Sequence, residues 1–378
     1  MADRVSDWLQ VLHDAYPVAD AEPWDNVGLQ VGDPAATVEA VLVCLDVTAA
    51  TLAEAADAGA ALVVAHHPLL FRSLDQLTPA SAAGRLALQA ARAGIAVAAA
   101  HTNFDVASDG TTAPIERLLG ITDAKPLTPA AARDGFVKLV VFVPVEATGA
   151  VMAAAFAAGA GGIGEYDECS FRVSGTGTFR PSAAANPAVG ERGLRNDVPE
   201  DRVEMVLPSA RASAVVDAVN AAHPYEEVAL DVYPLAGIGR AGPGKGLGRV
   251  GDLATPLTIA EAAQRLREGL PSPLLRAAGD PSRVVTRVAA CGGAGDSLIA
   301  AAQAAGAELY VTGDLRHHVT LDALTMGMAV IDAGHYATES AALPALLERL
   351  THGAREHGLQ ARLLPSAVST EPWWTGPR

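Results

Sequence analysis

The residues able to do chemistry fall in short motifs, each just after an apolar run. His66 and His67 stand in "AHHPLLF" (65–71), and His101 and Asp105 in "HTNFD". Asp314, His317 and His318 stand in "VTGDLRHH", and His335 and Glu339 in "HYATES". Imidazole and carboxylate groups that converge on one point with an open coordination position support metal chemistry near neutral pH. His335 and Glu339 are four apart, which puts both on one face if a helix starts there. His101 and Asp105 share that spacing, although the following "DVASDG" reads as a loop. Neighbouring strand residues point to opposite faces. His66 and His67 can therefore serve one centre only if the chain has left the strand, and Pro68 supports such a break. A single histidine at a strand end is ordinarily a hydrogen-bonded structural residue. A set of imidazoles and carboxylates at matching ends of two repeated units is not explained that way. The donors outnumber what one ion uses, so two metals sharing a bridging carboxylate is the better form.

The elements that must position these groups form an internal repeat. "VLVCLDVTAATLAEAADAGAALVVAHHP" is matched by "VAACGGAGDSLIAAAQAAGAELYVTGDL", with Cys44 to Gly59 spaced as Cys291 to Gly306. Each copy reads as strand, loop, alanine-rich helix, glycine cap and second strand. "GIAVAAAH" (94–101) and "GMAVIDAGH" (327–335) continue the parallel, each a strand ending near a histidine. Such alternation implies βαβ units with mainly parallel pairing, and ligands collect at the carboxyl ends of the strands. The intervening stretch reads β-α-β-loop-β-α-β, the order of a ferredoxin-like α+β module. The expected organisation is α/β: two similar halves, 1–126 and 237–378, forming one core around a dinuclear metal site. A ferredoxin-like domain at 127–236 is inserted between them.

Composition excludes several classes. Half of the 378 residues are apolar and 19% are charged, which argues against global disorder. No apolar run is long enough to span a membrane, and the acidic start "MADRVSDWLQ" does not read as a signal peptide. A formal charge of −16 without a Lys/Arg cluster makes nucleic acid a poor partner. Cys44, Cys169 and Cys291, three and widely spaced, fit buried thiols in a reducing cytoplasm.

Other motifs are weaker. "GPGKGLG" (242–248) lacks the GK[ST] ending of a phosphate loop and reads as a flexible entry loop. No G-x-S-x-G elbow accompanies Ser73, Ser108 or Ser297, so serine hydrolase chemistry is disfavoured. In "PWDNVGLQVGD" (23–33), a turn pinned by Trp24 packing and a site-lining role are both open readings.

Taken together, "PWDNVGLQVGD", "VVAHHPLLF", "AAHTNFDVASDG", "VTGDLRHH" and "DAGHYATE" resemble the Nif-three-like family, whose bacterial members are known as GTP cyclohydrolase 1 type 2 homologues. The middle "GGIGEYDECSF…GTGTFRP…AAHPYEEVALDVYPL" is similar to the longer members. The resemblance implies two divalent metal ions per subunit, zinc first, with iron, manganese or nickel as alternatives. It also implies the ligands His66, His67, Asp105, His335 and Glu339, with Glu339 bridging. His101, His317 and His318 would be neighbours that orient ligands or handle protons. It further implies a toroidal homohexamer and a middle domain like the trimeric signalling-protein and copper-tolerance folds. One departure is that "VASDGTTAPIERLLG" has two threonines where many members carry an asparagine for one of them, in a loop beside the site. The implied activity is metal-assisted hydrolysis of a nucleotide or related small molecule in the cytoplasm. The alternative is a non-enzymatic metal-binding or regulatory protein whose middle domain senses a ligand.

Overall fold

The computed structural model describes residues 2–129, 136–163, 166–235, 244–271 and 274–374. The chain divides into two compact units: Met1–Ala130 with Ala241–Arg378, and Ala131–Arg240.

The first unit opens with α1 (Val5–Ala15), β1 (Gly28–Val31), β2 (Ala40–Cys44), α2 (Ala49–Asp57) and β3 (Leu62–Ala65). It continues through α3 (Ala82–Arg92), β4 (Ala96–Ala99), the single turn α4 (Thr102–Asp105), α5 (Ala113–Leu119) and β5 (Ile121–Pro129). The second unit holds β6 (Phe136–Pro144), α6 (Thr148–Ala157), β7 (Phe171–Phe179), β8 (Asn196–Pro208), α7 (Ala212–Ala222) and β9 (Leu230–Pro234). The first unit then resumes with β10 (Gly246–Thr258), α8 (Ile259–Gly269), β11 (Arg276–Ala278), β12 (Val284–Ala294) and α9 (Ile299–Ala304). It ends with β13 (Leu309–Gly313), α10 (His317–Thr325), β14 (Ala329–Asp332), α11 (His335–Ser340), α12 (Leu343–Glu356) and β15 (Arg362–Pro365).

The first unit carries two sheets, ordered β1-β4-β3-β2-β15 and β11-β14-β13-β12-β10-β5. The repeat accounts for their centres: β2, β3 and β4 run parallel, as do β12, β13 and β14. Parallel strands covered on both faces read as continuous apolar runs, and alternate residues serve opposite layers. Val41, Val43, Leu62 and Val64 pack with α1 and α12, whereas Leu42, Cys44, Val63 and Ala65 pack with α2 and α3. In the second sheet, Val288, Leu309 and Val311 join the α8 layer while Ala289, Tyr310 and Val330 join the α9 layer. Thr48 caps α2 by accepting from the Thr51 amide at 3.1 Å. Gly59 and Gly306 close the two repeated helices at φ 68° and 78°, a left-handed conformation that explains the shared "AGA".

The halves are not sequential. β5 leaves the N-terminal half to pair with β10 as far as Pro129, and β15 returns to pair with β2. In the second unit the sheet order is β7-β8-β6-β9, with every pair antiparallel. Leu139, Val141, Val203 and Met205 pack there against Val151 of α6 and Val219 of α7. Two expectations need correction. Cys169 is partly exposed while Cys44 and Cys291 are buried, all three being free thiols. Gly246 to Gly248 already belong to β10 rather than to an entry loop, and Gly242 and Pro243 lie outside the described residues. Among the described residues, no helix is long and apolar enough to cross a membrane.

Candidate metal centre

The candidate residues follow the carboxyl ends of parallel strands in both sheets of the first unit. β3 ends at Ala65, so His66 and His67 stand just past the strand. Their amides still bond Cys44 and Leu45 carbonyls, but the rings lie side by side with centroids 4.9 Å apart. His101 and Asp105 follow β4, joined by the single turn α4, and the expected loop follows at 106–110. His335 begins α11 after β14, with Glu339 one turn on.

Each imidazole is held by one nitrogen. His66 Nδ1 donates to the Ala100 carbonyl at 2.9 Å, and His67 Nδ1 to Asp46 at 2.7 Å. His101 Nδ1 donates to Asp25 at 2.9 Å, and His335 Nδ1 to Asp314 at 2.7 Å. Carbonyls and carboxylates only accept, so every Nδ1 carries a proton and every Nε2 is the nitrogen left able to coordinate or exchange a proton. These nitrogens and carboxylates form three overlapping groups: His66–His67–His101, His67–His335–Glu339 and His66–Asp105–Glu339. Glu339 Oε1 lies 3.6 Å from His66 Nε2, while its Oε2 lies 2.9 Å from His67 Nε2 and 3.0 Å from His335 Nε2. Asp105 Oδ1 is 3.7 Å from His66 Nε2.

This arrangement fits a metal better than protons. His66 Nε2 and Glu339 Oε2 are buried without a well-formed hydrogen bond, despite the short contacts around that oxygen. The Nε2 atoms of His67 and His335 face each other at 3.3 Å, a spacing that sets two lone pairs, or two protons, against one another unless a cation lies between. Burial opposes the imidazolium forms, but the Asp46 and Glu339 carboxylates raise His67 to about 10. Burial likewise opposes the His335 imidazolium, while Glu339 and Asp314 raise it to about 9. Burial would raise the Glu339 pKa, yet His66 and the neighbouring imidazoles hold it well below the usual carboxylate range. Gly293, at φ 65°, leaves room for this carboxylate, because a Cβ there would lie 2.0 Å from Glu339 Oε1.

His317 and His318 lie outside the three groups. They begin α10, and their rings pair with each other at 5.2 Å. Asp314, a candidate for coordination by its strand-end position, instead orients His335. Asp25 gives "PWDNVGLQVGD" a place at the site, through His101 and the Thr102 amide at 3.0 Å. The loop threonines touch a candidate ligand after all, since Thr111 Oγ1 donates to Asp105 Oδ1 at 2.6 Å. Sequence reasoning missed Asp46, whose signal was its place two residues past the carboxyl end of β2. It also missed Thr370, whose hydroxyl bonds Asp46 from the far end of the chain; nothing local marks that residue.

A family model described as Duf34/NIF3 (NGG1p interacting factor 3) matches residues 3–372. The GTP cyclohydrolase 1 type 2 homolog of Mycobacterium leprae is 40% identical over 383 aligned positions, covering 100% of this chain and 97% of the relative. The protein of the same description from Bacillus subtilis is 38% identical, with 97% and 96% covered. The crystal structure of a Bacillus cereus protein related to NIF3 superposes with a TM-score of 0.74 at 34% identity, covering 100% of both chains.

Proposed function

The chain belongs to the Duf34/NIF3 family, and from that premise we propose that it is a hydrolase with a two-metal centre acting on a nucleotide or related small molecule. The observation that carries this reading is the divided contact of Glu339, one oxygen toward His66 and the other toward His67 and His335. His66, Asp105 and Glu339 would hold one ion, and His67, His335 and Glu339 the other. A pair of divalent ions in such donors supplies an activated water at neutral pH and stabilises charge on the attacked atom. The neutral imidazoles and carboxylates suit zinc, and also iron, manganese or nickel.

The chain's own groups do the rest. Asp46, Asp314 and the Ala100 carbonyl fix the ring orientations, so the donors need little rearrangement. His101, held at Nδ1 by Asp25, keeps Nε2 free beside His66 and His67 and is the group placed to exchange protons with the reacting molecule. His317 and His318 take no part in this scheme. The second unit is read as the inserted ferredoxin-like module, supported by its β-α-β-β-α-β order. A cytoplasmic homohexamer completes the proposal, and light scattering checks its mass.

The test is metal analysis of protein purified without added metal, followed by assays of reconstituted protein against GTP and a panel of phosphoesters. Turnover that disappears with the metal in His67→Ala and Glu339→Ala supports the reading. Absence of turnover across the panel, or turnover retained by metal-free variants, refutes it. A regulatory, non-enzymatic role is the second reading. It is favoured by a cavity of about 910 Å³ in the second unit, between Phe179, Arg180, Glu200 and Tyr225. Ligand binding there by a protein inert in every assay would support it.

A further inference from the structure

A cleft of about 1020 Å³ opens beside the centre, with His67 and His335 in its wall. That volume is at the upper end for small-molecule sites. The far end of the chain forms another wall: Thr370 bonds Asp46, the carboxylate that orients His67, and Trp373 and Trp374 follow in the same cleft. These two indoles are 69% and 63% exposed. Adjacent tryptophans with so much apolar face in water are a ready stacking surface.

Each carboxylate of the cleft already accepts a hydrogen bond, whereas one of its two arginines has no ionic partner among the described residues. Asp46 and Asp314 are taken by His67 and His335, Asp332 by Arg276, and Glu371 by the Trp373 amide at 3.0 Å. Arg267 donates to the neutral Gln264 at 2.9 Å and meets no carboxylate among the described residues. A ligand that meets both the indoles and this unpaired guanidinium has a flat ring and an anionic group.

We propose that this cleft is a subsite for a planar aromatic ring carrying an anionic group, with Trp373 and Trp374 against the ring and Arg267 against the anion. The inference deepens the hydrolase reading and rests on it for the side of the ligand that faces the metals.

The test measures equilibrium binding to the metal-loaded full chain, by tryptophan quenching and calorimetry, with guanosine monophosphate, guanosine and ribose 5-phosphate as probes. Guanosine monophosphate should bind saturably, and each of the other two about tenfold or more weaker. Trp373→Ala/Trp374→Ala should lose about tenfold or more in ring binding at unchanged metal content, and Trp373→Phe/Trp374→Phe should restore most of it. Arg267→Gln should erase the preference for the phosphorylated nucleoside while guanosine still binds. Ribose 5-phosphate binding as tightly as the nucleotide would overturn the proposal, because the phosphate alone would then be recognised by the metals. Unchanged binding in the double alanine variant, or a preference that survives Arg267→Gln, would overturn it equally. Ring binding without turnover would remove the hydrolase reading and leave the subsite standing. Turnover with KM unchanged in the tryptophan variants would do the reverse.

Discussion

Asp25→Asn separates what an orienting carboxylate contributes to the fold from what it contributes to the site. The Asp25 side chain is fully buried and accepts from His101 Nδ1 at 2.9 Å, the Thr102 amide at 3.0 Å and the Thr102 hydroxyl. Burial alone would raise its pKa, but the His101 and Thr102 hydrogen bonds outweigh this and hold it at about 2, against an ordinary 3.8. A group depressed in the folded state contributes stability that is present above its unfolded pKa and lost as pH falls through the folded one. The difference corresponds to about 2 kcal/mol, at about 1.4 kcal/mol for each unit of pKa. Asparagine keeps the shape yet sets an NH2 group against one of three donors. Asp25→Asn should therefore be about 2 kcal/mol less stable between pH 5 and 7. The gap should close between pH 4 and 2. Urea unfolding followed by circular dichroism over that range measures it. A gap that stays constant down to pH 2 would mean that the loss is steric, and the ionic argument for Asp25 would be wrong.

Three further outcomes follow from the same geometry. Asp46→Asn should weaken one of the two ions by about 10- to 100-fold through loss of the His67 partner, whereas Glu339→Gln should weaken both; chelator-competition titrations separate the two patterns. In metal-free protein the raised His67 and His335, at about 10 and about 9, carry protons at pH 7 that a metal must displace. Metal affinity should then rise with pH toward 9, with release of about two protons per subunit in weakly buffered solution. The metal-free protein should lose the stabilisation of these imidazolium groups as pH rises from about 6.5 through their folded values, so the melting temperature gained on loading should widen. Leu350→Ala, in α12 and fully buried against the first sheet, should cost about 2–5 kcal/mol while leaving the metal stoichiometry unchanged.

The parts of this molecule that were legible in its sequence are those with a local or repeated cause. Apolar runs covered on both faces, helix caps at Thr48 and the glycines at 59 and 306 all follow from short-range rules, and the repeat doubled their weight. The i,i+4 pair His335–Glu339 needed only helical spacing. What stayed hidden depends on distant pairing. Nothing near β5 shows that it will join β10, 125 positions on by the Ile121 and Gly246 starts. The same holds for Thr370, which bonds Asp46 across a sequence separation of 324 residues. The orienting carboxylates fall between these cases. Asp46, Asp314 and Asp25 lie in motifs beside the imidazoles, but an aspartate that coordinates and one that holds a ring differ only in direction, which the sequence does not carry. His317 and His318 stand three and four positions past Asp314, at the start of α10, and neither belongs to the three groups of donors. A strand-end position therefore locates the site to within a loop, and the tertiary pairing of the two sheets decides which side chains of that loop point inward.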